Sequence, residues 1–247
     1  MYLWYRACMP KSKFQIYTKS WIKKETAEEK IQRSRQILRV LKKSYPNAKI
    51  ALSYGNNIQL LVAVILSAQC TDKKVNEVTS TLFSAKGGSA SGGKKYKTAH
   101  DFATAAQTEL EKEIRQTGFY HAKAKNIIAA CKTIDEKFGG RLPRTMEDML
   151  TLRGVARKTA NVALGNAYGV VEGIAIDTHM IRLSQRLGFT KETDPVKIEK
   201  DLMMLFPKNQ WFGLAYKLIN HGRAICEAKK PKCELCPLNK LCPSSSA

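Results

Sequence analysis

Four cysteines spaced Cys226-x6-Cys233-x2-Cys236-x5-Cys242 gather four potential thiolate ligands in one short stretch. Two liganding pairs roughly 15 to 20 residues apart would suit a zinc ribbon. One Cys-x-x-Cys flanked closely by lone cysteines suits a compact cubane wrapped by a single loop. The spacing therefore predicts a 4Fe-4S cluster on Cys226, Cys233, Cys236 and Cys242, with a structural zinc knuckle as its rival. Lys229, Lys230 and Lys232 fall between the first two cysteines, where an anchored loop would hold them ready for successive phosphates. Cys8, Cys70 and Cys131 are scattered. The clustering speaks against a disulfide framework and for a reducing compartment, with Cys70 and Cys131 as buried apolar side chains.

A second stretch, Leu152-Arg153-Gly154-Val155-Ala156-Arg157-Lys158-Thr159-Ala160, reads as helix, tight turn, helix. Thr145 and Asp148 make a capping signature for the first helix, and the pair is expected over about residues 146–165. The exposed amides around Gly154, Ala156 and Arg157 form an anion site at a helix N-terminus. An ordinary helical hairpin is the bland alternative, but the charge of the chain favours phosphate. Lys158 would stand in the first turn of the second helix. A lysine amine, with an ordinary pKa of about 10.4, attacks carbon only when neutral. Arg153, Arg157 and the helix N-terminus would favour that form, and a nearby carboxylate would oppose it. Asp177, by itself, reads as the N-cap of a helix that begins at Thr178.

Behind these motifs, 42 Lys and Arg against 21 Asp and Glu leave a net charge of +21 on 247 residues. Such an excess marks a polyanion partner, nucleic acid first and an anionic membrane surface second. The longest apolar run is 60–66, far short of the roughly 20 residues of a membrane-spanning helix. The first 24 residues contain no acid and interleave bases with aromatics, as in a targeting leader or a basic, disordered arm. Helical patterning fills most of the remainder. Thr26 and Glu29 open a striped helix that Pro46 ends, and residues 57–69 are apolar on nearly all sides, which predicts a central helix. Thr71 and Asp72 restart a helix toward Phe83, while 86–97 (KGGSASGGKKYK) reads as a flexible insertion. Further helices are expected over 109–117, 122–138 and 145–152, and from Asp194-Pro195 onward. Residues 169–176, the nearest approach to a strand, read as a connecting loop. The fold class is all-α.

Together the hairpin, the 169–173 loop leading to Asp177-Thr178-His179, the stretch Leu66-Ser67-Ala68-Gln69-Cys70-Thr71-Asp72 and the run His221-Gly222-Arg223-Ala224-Ile225-Cys226 resemble the endonuclease III branch of the helix-hairpin-helix DNA glycosylases. The similarity runs from about Glu25 to Cys242. It implies a bifunctional glycosylase and lyase of base excision repair, acting on double-stranded DNA that carries an oxidised pyrimidine or an abasic site. By the same resemblance Lys158 is the Schiff-base nucleophile and Asp177 the catalytic carboxylate. Gln69 and Phe119, the latter in Gly118-Phe119-Tyr120, would fill the gap left by an extruded nucleotide. Without the resemblance they read as a helix-end Gln and a core Phe. Thr178 and His179 would lie near phosphate, and His221 would neighbour the cluster loop.

The resemblance further implies two helical lobes flanking a DNA-binding cleft. Residues 50–170 would form a six-helix barrel that includes the hairpin, and residues 25–49 with 171–247 a cluster lobe whose loop spans 226–242. Lys158 and Asp177 would face each other across the cleft. A monomer without membrane association is expected, cytoplasmic and near the nucleoid in a bacterium, with an organelle or nucleus suggested by the basic arm. Two rivals are a monofunctional mismatch glycosylase of the same fold, whose members lack a lysine at the place of Lys158, and a non-catalytic DNA-binding module with a zinc-bound tail. The family usually has Pro where Arg153 stands and often Gly where Ala156 stands, so the hairpin is expected to be looser at its entry and more restricted at its exit.

Overall fold

A computed structural model describes Phe14 and residues 17–84 and 96–247. Cys8, most of the basic arm and all but the last two residues of the 86–97 insertion lie outside the described residues. Eleven α-helices and no strand are found among the described residues, and no helix there is long and apolar enough to cross a membrane. The chain divides into two compact units, Ile50–Glu172 on one hand, and Gly173–Ala247 with the described residues up to Lys49 on the other.

In the unit Ile50–Glu172, seven helices follow one another: α2 (Asn57–Leu66), α3 (Asp72–Leu82), α4 (Ala99–Ala103), α5 (Gln107–Ile114), α6 (Tyr120–Phe138), α7 (Met146–Thr151) and α8 (Arg157–Tyr168). Asn56 caps α2 by accepting from the amides of Ile58 and Gln59. Every residue from Ile58 to Leu66 is buried, so α2 is the central helix that its apolar run predicts, and it packs against α3, α6 and α8. It stops at Leu66 instead of continuing to Gln69, because Gln69 turns into a left-handed backbone with φ +53°. The short α4 has too few residues to show a period. It is placed by a capping box at Thr98 and Asp101 and by burial of Ala99 and Phe102. Tyr96, at the end of the flexible insertion by sequence, is itself buried and stacks on Phe102.

The other unit joins α1 (Ala27–Ser44) to α9 (Thr178–Arg186), α10 (Pro195–Leu205) and α11 (Lys208–Ala224). Thr26 and Glu29 form the reciprocal capping box at the start of α1. Ile37 and Leu41 of α1, Met180 and Leu183 of α9, Ile198 and Leu202 of α10, and Leu214 and Leu218 of α11 make its core, against which Cys226, Cys236 and Cys242 also pack. Residues 17–24, part of the expected loose arm, hold structure. The amides of Thr18 and Lys19 donate to the Pro243 carbonyl, at 2.8 and 3.1 Å, and Ser20–Lys23 forms a 3-10 turn.

Arg33 ties α1 to this unit. Its guanidinium donates to both carboxylate oxygens of Glu25, at 2.6 and 2.9 Å, and to the carbonyls of Leu187 at 2.7 Å and Leu241 at 3.2 Å. Trp21 lies 5.3 Å from it, measured to the ring centre. Both charged side chains of the Glu25 pair are almost fully buried, so removal of one leaves the other charge desolvated and alone. Arg33→Met is expected to lower the unfolding free energy by about 3–5 kcal/mol in denaturant titration. Arg33→Lys should recover only part of the loss, because an ammonium cannot present the same fork of donors.

Candidate functional site

The hairpin is built from α7, a turn over 152–156 and α8. Thr145 opens α7 by accepting from the Asp148 amide at 3.1 Å. The carboxylate of Asp148 accepts from the Thr145 hydroxyl at 2.7 Å, so the reciprocity runs between side chains and not back to the main chain. Buried Leu152 and Val155 anchor the turn, which closes with the Val155 amide on the Leu152 carbonyl at 3.1 Å. Between them Gly154 holds φ +80°. A Cβ on Gly154 would come within 2.7 Å of the Asn126 Cβ on α6, so glycine is required for close approach as well as for its dihedral. Asn126 also accepts from Arg153 Nε at 3.2 Å. The arginine that stands in place of proline therefore braces the entry to the turn by a hydrogen bond. Ala156 has φ −97° and ψ 169°, extended backbone that alanine adopts without cost, so the restriction expected at the exit does not arise.

Ala156 is the N-cap of α8 and brings no side-chain acceptor, and no acid lies in the first helical turn. Thr26, Asn56, Thr71 and Asp194 do supply that bond to their own helices. The N-cap and first turn of α8 thus set no carboxylate or hydroxyl of their own against its amides and positive dipole end. Lys158 is the second residue of α8 and exposed, while Ala160, Ala163 and Leu164 bury the inner side of the helix.

Asp177 is the N-cap of α9, as its place before Thr178 predicts: its Oδ1 accepts from the Met180 amide at 2.7 Å. The side chain is half-buried, Thr178 is exposed, and His179 is half-buried with Nδ1 3.1 Å from Arg182 Nη2. Arg182 also donates to the carbonyls of Gly222 and Cys226, at 3.1 and 3.2 Å. The helix that carries the carboxylate is thereby joined to the chain entering the cysteine loop. Gly222 permits this crossing, since a Cβ there would lie 3.0 Å from both Arg182 Nη2 and His179 Nδ1.

Cys226, Cys233, Cys236 and Cys242 line one cavity together with His221 and Arg186. Arg186 reaches Cys226 Sγ at 3.3 Å and the carbonyls of Glu227 and Ala228 at 2.7 and 2.8 Å. His221 stands between Tyr45, whose hydroxyl is 3.1 Å from Nδ1, and Cys236, whose Sγ is 3.5 Å from Nε2. Burial pushes the His221 pKa down to about 4, which keeps the ring neutral. Burial also raises the Cys236 thiol and pushes Cys242 up to about 12. At Cys233 burial acts in the same sense, but hydrogen bonds from Ser246 and Ser245 outweigh it and lower the pKa. Lys229, Lys230 and Lys232 are exposed. The Lys232 ammonium lies 3.1 Å from a Glu227 carboxylate oxygen and donates to the Ala224 carbonyl at 3.2 Å.

Gln69 and Phe119 share an unusual backbone. They are the two non-glycine residues with positive φ among the described residues, +53° and +50°. Both are exposed, so Phe119 is not the core residue that its type alone suggests. Cys131 is buried as expected, whereas Cys70 is half-buried. The braces Asn126, Arg182 and Arg186 escape sequence reasoning. Nothing in their spacing separates a side chain that donates to or accepts from a buried turn from one that faces water.

A family model described as HhH-GPD superfamily base excision DNA repair protein matches residues 62–208. Endonuclease III of Synechocystis sp. is 51% identical over 218 residues, which span 88% of this chain and 95% of that protein. Endonuclease III of Bacillus subtilis is 44% identical over 199 residues, 80% of this chain and 86% of that one. A solved structure described as a trapped endonuclease III-DNA covalent intermediate, an estranged-adenine complex, is similar with a TM-score of 0.79 and 41% identity, covering 87% of this chain and 96% of the other.

The turn geometry separates two neighbouring positions. Gly154→Ala meets both the left-handed dihedral and Asn126, and is expected to cost about 1–3 kcal/mol in denaturant titration. Ala156→Gly should change stability by less than about 1 kcal/mol.

Proposed function

The chain belongs to the endonuclease III family of the HhH-GPD superfamily, the bifunctional glycosylases and AP lyases of base excision repair, and on that premise we propose that Lys158 is its nucleophile, Asp177 its catalytic carboxylate and oxidised pyrimidines in duplex DNA its substrates. The observation that carries the proposal is the placement of Lys158. It stands exposed in the first turn of α8, beyond a turn pinned at Gly154, where the helix start offers its amides to an anion. A phosphodiester seated on those amides brings the adjoining deoxyribose near the amine. A similar protein caught in a covalent intermediate with DNA supports a nucleophile on the enzyme itself.

In the reaction the neutral Lys158 amine bonds to C1′ as the C1′ to base bond breaks, and the bonding pair leaves with the base, which takes up a proton. Positive charge that develops on the sugar is stabilised by the Asp177 carboxylate, which its N-cap bond to Met180 holds in place. The C1′ to O4′ bond then breaks, O4′ keeps the pair and takes up a proton, and the nitrogen lone pair closes a protonated imine between Lys158 and C1′. The imine acidifies the C2′ proton, and loss of that proton expels the 3′ phosphate by β-elimination. Gln69 and Phe119 occupy the space vacated in the duplex by the extruded nucleotide. Lys229 and Lys230 contact the DNA backbone.

The four cysteines around one cavity, with the Arg186 cation beside Cys226, fit an anionic iron-sulfur cluster. Such a cluster would cross-link the loop and set its basic side chains. Ligation to iron would also require Cys236 and Cys242, the thiols that burial otherwise keeps neutral, to give up their protons.

Borohydride should trap the wild-type chain on an abasic duplex, and Lys158→Ala should give no adduct. Equal trapping by the variant would overturn the assignment of the nucleophile. Asp177→Asn retains an N-cap acceptor but loses the charge, so it should slow base release by about 100-fold or more while stability changes little. The purified protein is expected to contain iron and sulfide in equal amounts and to lose its visible absorption in Cys236→Ser; stoichiometric zinc would instead support a structural knuckle.

A further inference from the structure

The two loops that carry Gln69 and Phe119 converge on one buried cation. Lys123, on the first turn of α6, is 5% exposed. Its ammonium donates to the Leu66 carbonyl at 2.7 Å and to the Thr117 carbonyl at 2.8 Å. Leu66 is the last residue of α2, three before Gln69, and Thr117 ends a 3-10 turn two residues before Phe119. The main-chain amide of Lys123 donates to Phe119 itself at 3.0 Å. Among the described ion pairs and hydrogen bonds Lys123 has no carboxylate partner. Its charge is met by carbonyl groups at element ends, which carry partial negative charge and lack a partner within their own helix. Burial lowers its pKa, in keeping with a cation taken out of water.

Both residues held near this cation have the left-handed backbone that side-chain-bearing residues rarely adopt. Such conformations persist where the surroundings over-determine them. A lysine that grips the end of α2 and the turn before α6 fixes the spacing of the two loop bases whether or not DNA is present. We propose that Lys123 is a positioning residue for base extrusion, which pre-organises Gln69 and Phe119 to enter the duplex together. The inference rests on the reading of those two residues as the gap-filling pair. Lys123 touches neither the substrate nor the reacting atoms, and it acts through the loops.

A structural tie alone would affect every activity through folding, whereas a positioning role acts only where a nucleotide must leave a stack. The test compares wild type and Lys123→Met, which keeps most of the stem and removes the donors. One readout is single-turnover release of an oxidised pyrimidine from duplex DNA. The other is borohydride trapping on an abasic site in single-stranded DNA, which requires no extrusion. Lys123→Met is expected to slow duplex base release on the order of 10- to 100-fold, with trapping on the single strand within about 2-fold of wild type. Added to Phe119→Ala, it should slow duplex release little further, since the two changes disable one device. Equal losses on both substrates, or full additivity with Phe119→Ala, would overturn the proposal. If Lys123→Met does not fold at the assay temperature, Lys123→Gln, with two amide hydrogens on a shorter arm, carries the same comparison. A wild-type chain inactive on both substrates would overturn the functional reading, and this one with it; an active wild type with no difference between substrates in the variant would overturn the role of Lys123 alone.

Discussion

The absence of room for a Cβ at Gly154 constrains the rest of the site. With φ +80° and the Asn126 side chain pressed against it, the backbone reverses within a few residues and sends α8 away with its first amides unobstructed. Leu152 and Val155 are buried on either side of the glycine, so the turn cannot relax outward without exposing apolar surface. The position of Lys158 follows from this arrangement and not from any contact of its own. The turn behind Lys158 sets its place without pairing the amine, as the nucleophilic role proposed above requires.

Beyond the surface, the excess of positive charge has a second use in the interior. Buried Lys123, Arg33 and Arg182, and half-buried Arg186, all donate to main-chain carbonyls at or just past the ends of helices or turns. These are groups that helix geometry leaves without partners. Each long side chain joins two segments distant in sequence: the α2 end to the turn before α6, α1 to the α9 end and Leu241, and α9 to the cysteine loop. Where a carboxylate is also present, as with Glu25, it completes the coordination of the cation. These loops and helix ends are thus set by cations on carbonyls as much as by apolar packing.

Much of the helical framework was legible because capping is local chemistry. Thr26, Thr71, Thr145, Asp177 and Asp194 all stand at the N-caps that their types and spacings indicate. The apolar run of α2 marked the central helix, and the hairpin was visible as a capped helix, a glycine turn and a basic second helix. The short α4 escaped because five residues contain too little period, and α11 because Trp211, Tyr216 and the glycines blur its stripe. The left-handed backbone of Gln69 was not legible, since neither its type nor its neighbours require it. Phe119 follows Gly118, yet phenylalanine is among the last residues expected at positive φ. Lys123 and Arg182 carry no distinguishing signal in their spacing, and only the folded chain brings carbonyls around them. The pairing of Lys232 with Glu227 depends on how the loop closes, which the intervening residues alone do not determine.

At Ala156 the molecule forgoes a stabilisation that seven of its other described helix starts enjoy. A serine or aspartate there would satisfy an N-terminal amide and typically strengthen a helix by about 1 kcal/mol, and the extended dihedrals already suit it. The same oxygen would occupy the amides that the proposed reading assigns to a phosphodiester, and aspartate would repel that anion as well. A search for thermostable variants by consensus capping would therefore select, at this residue, for a sturdier protein with a blocked docking point. The uncapped start of α8 is thus the cost in stability that the proposed affinity for another molecule would carry.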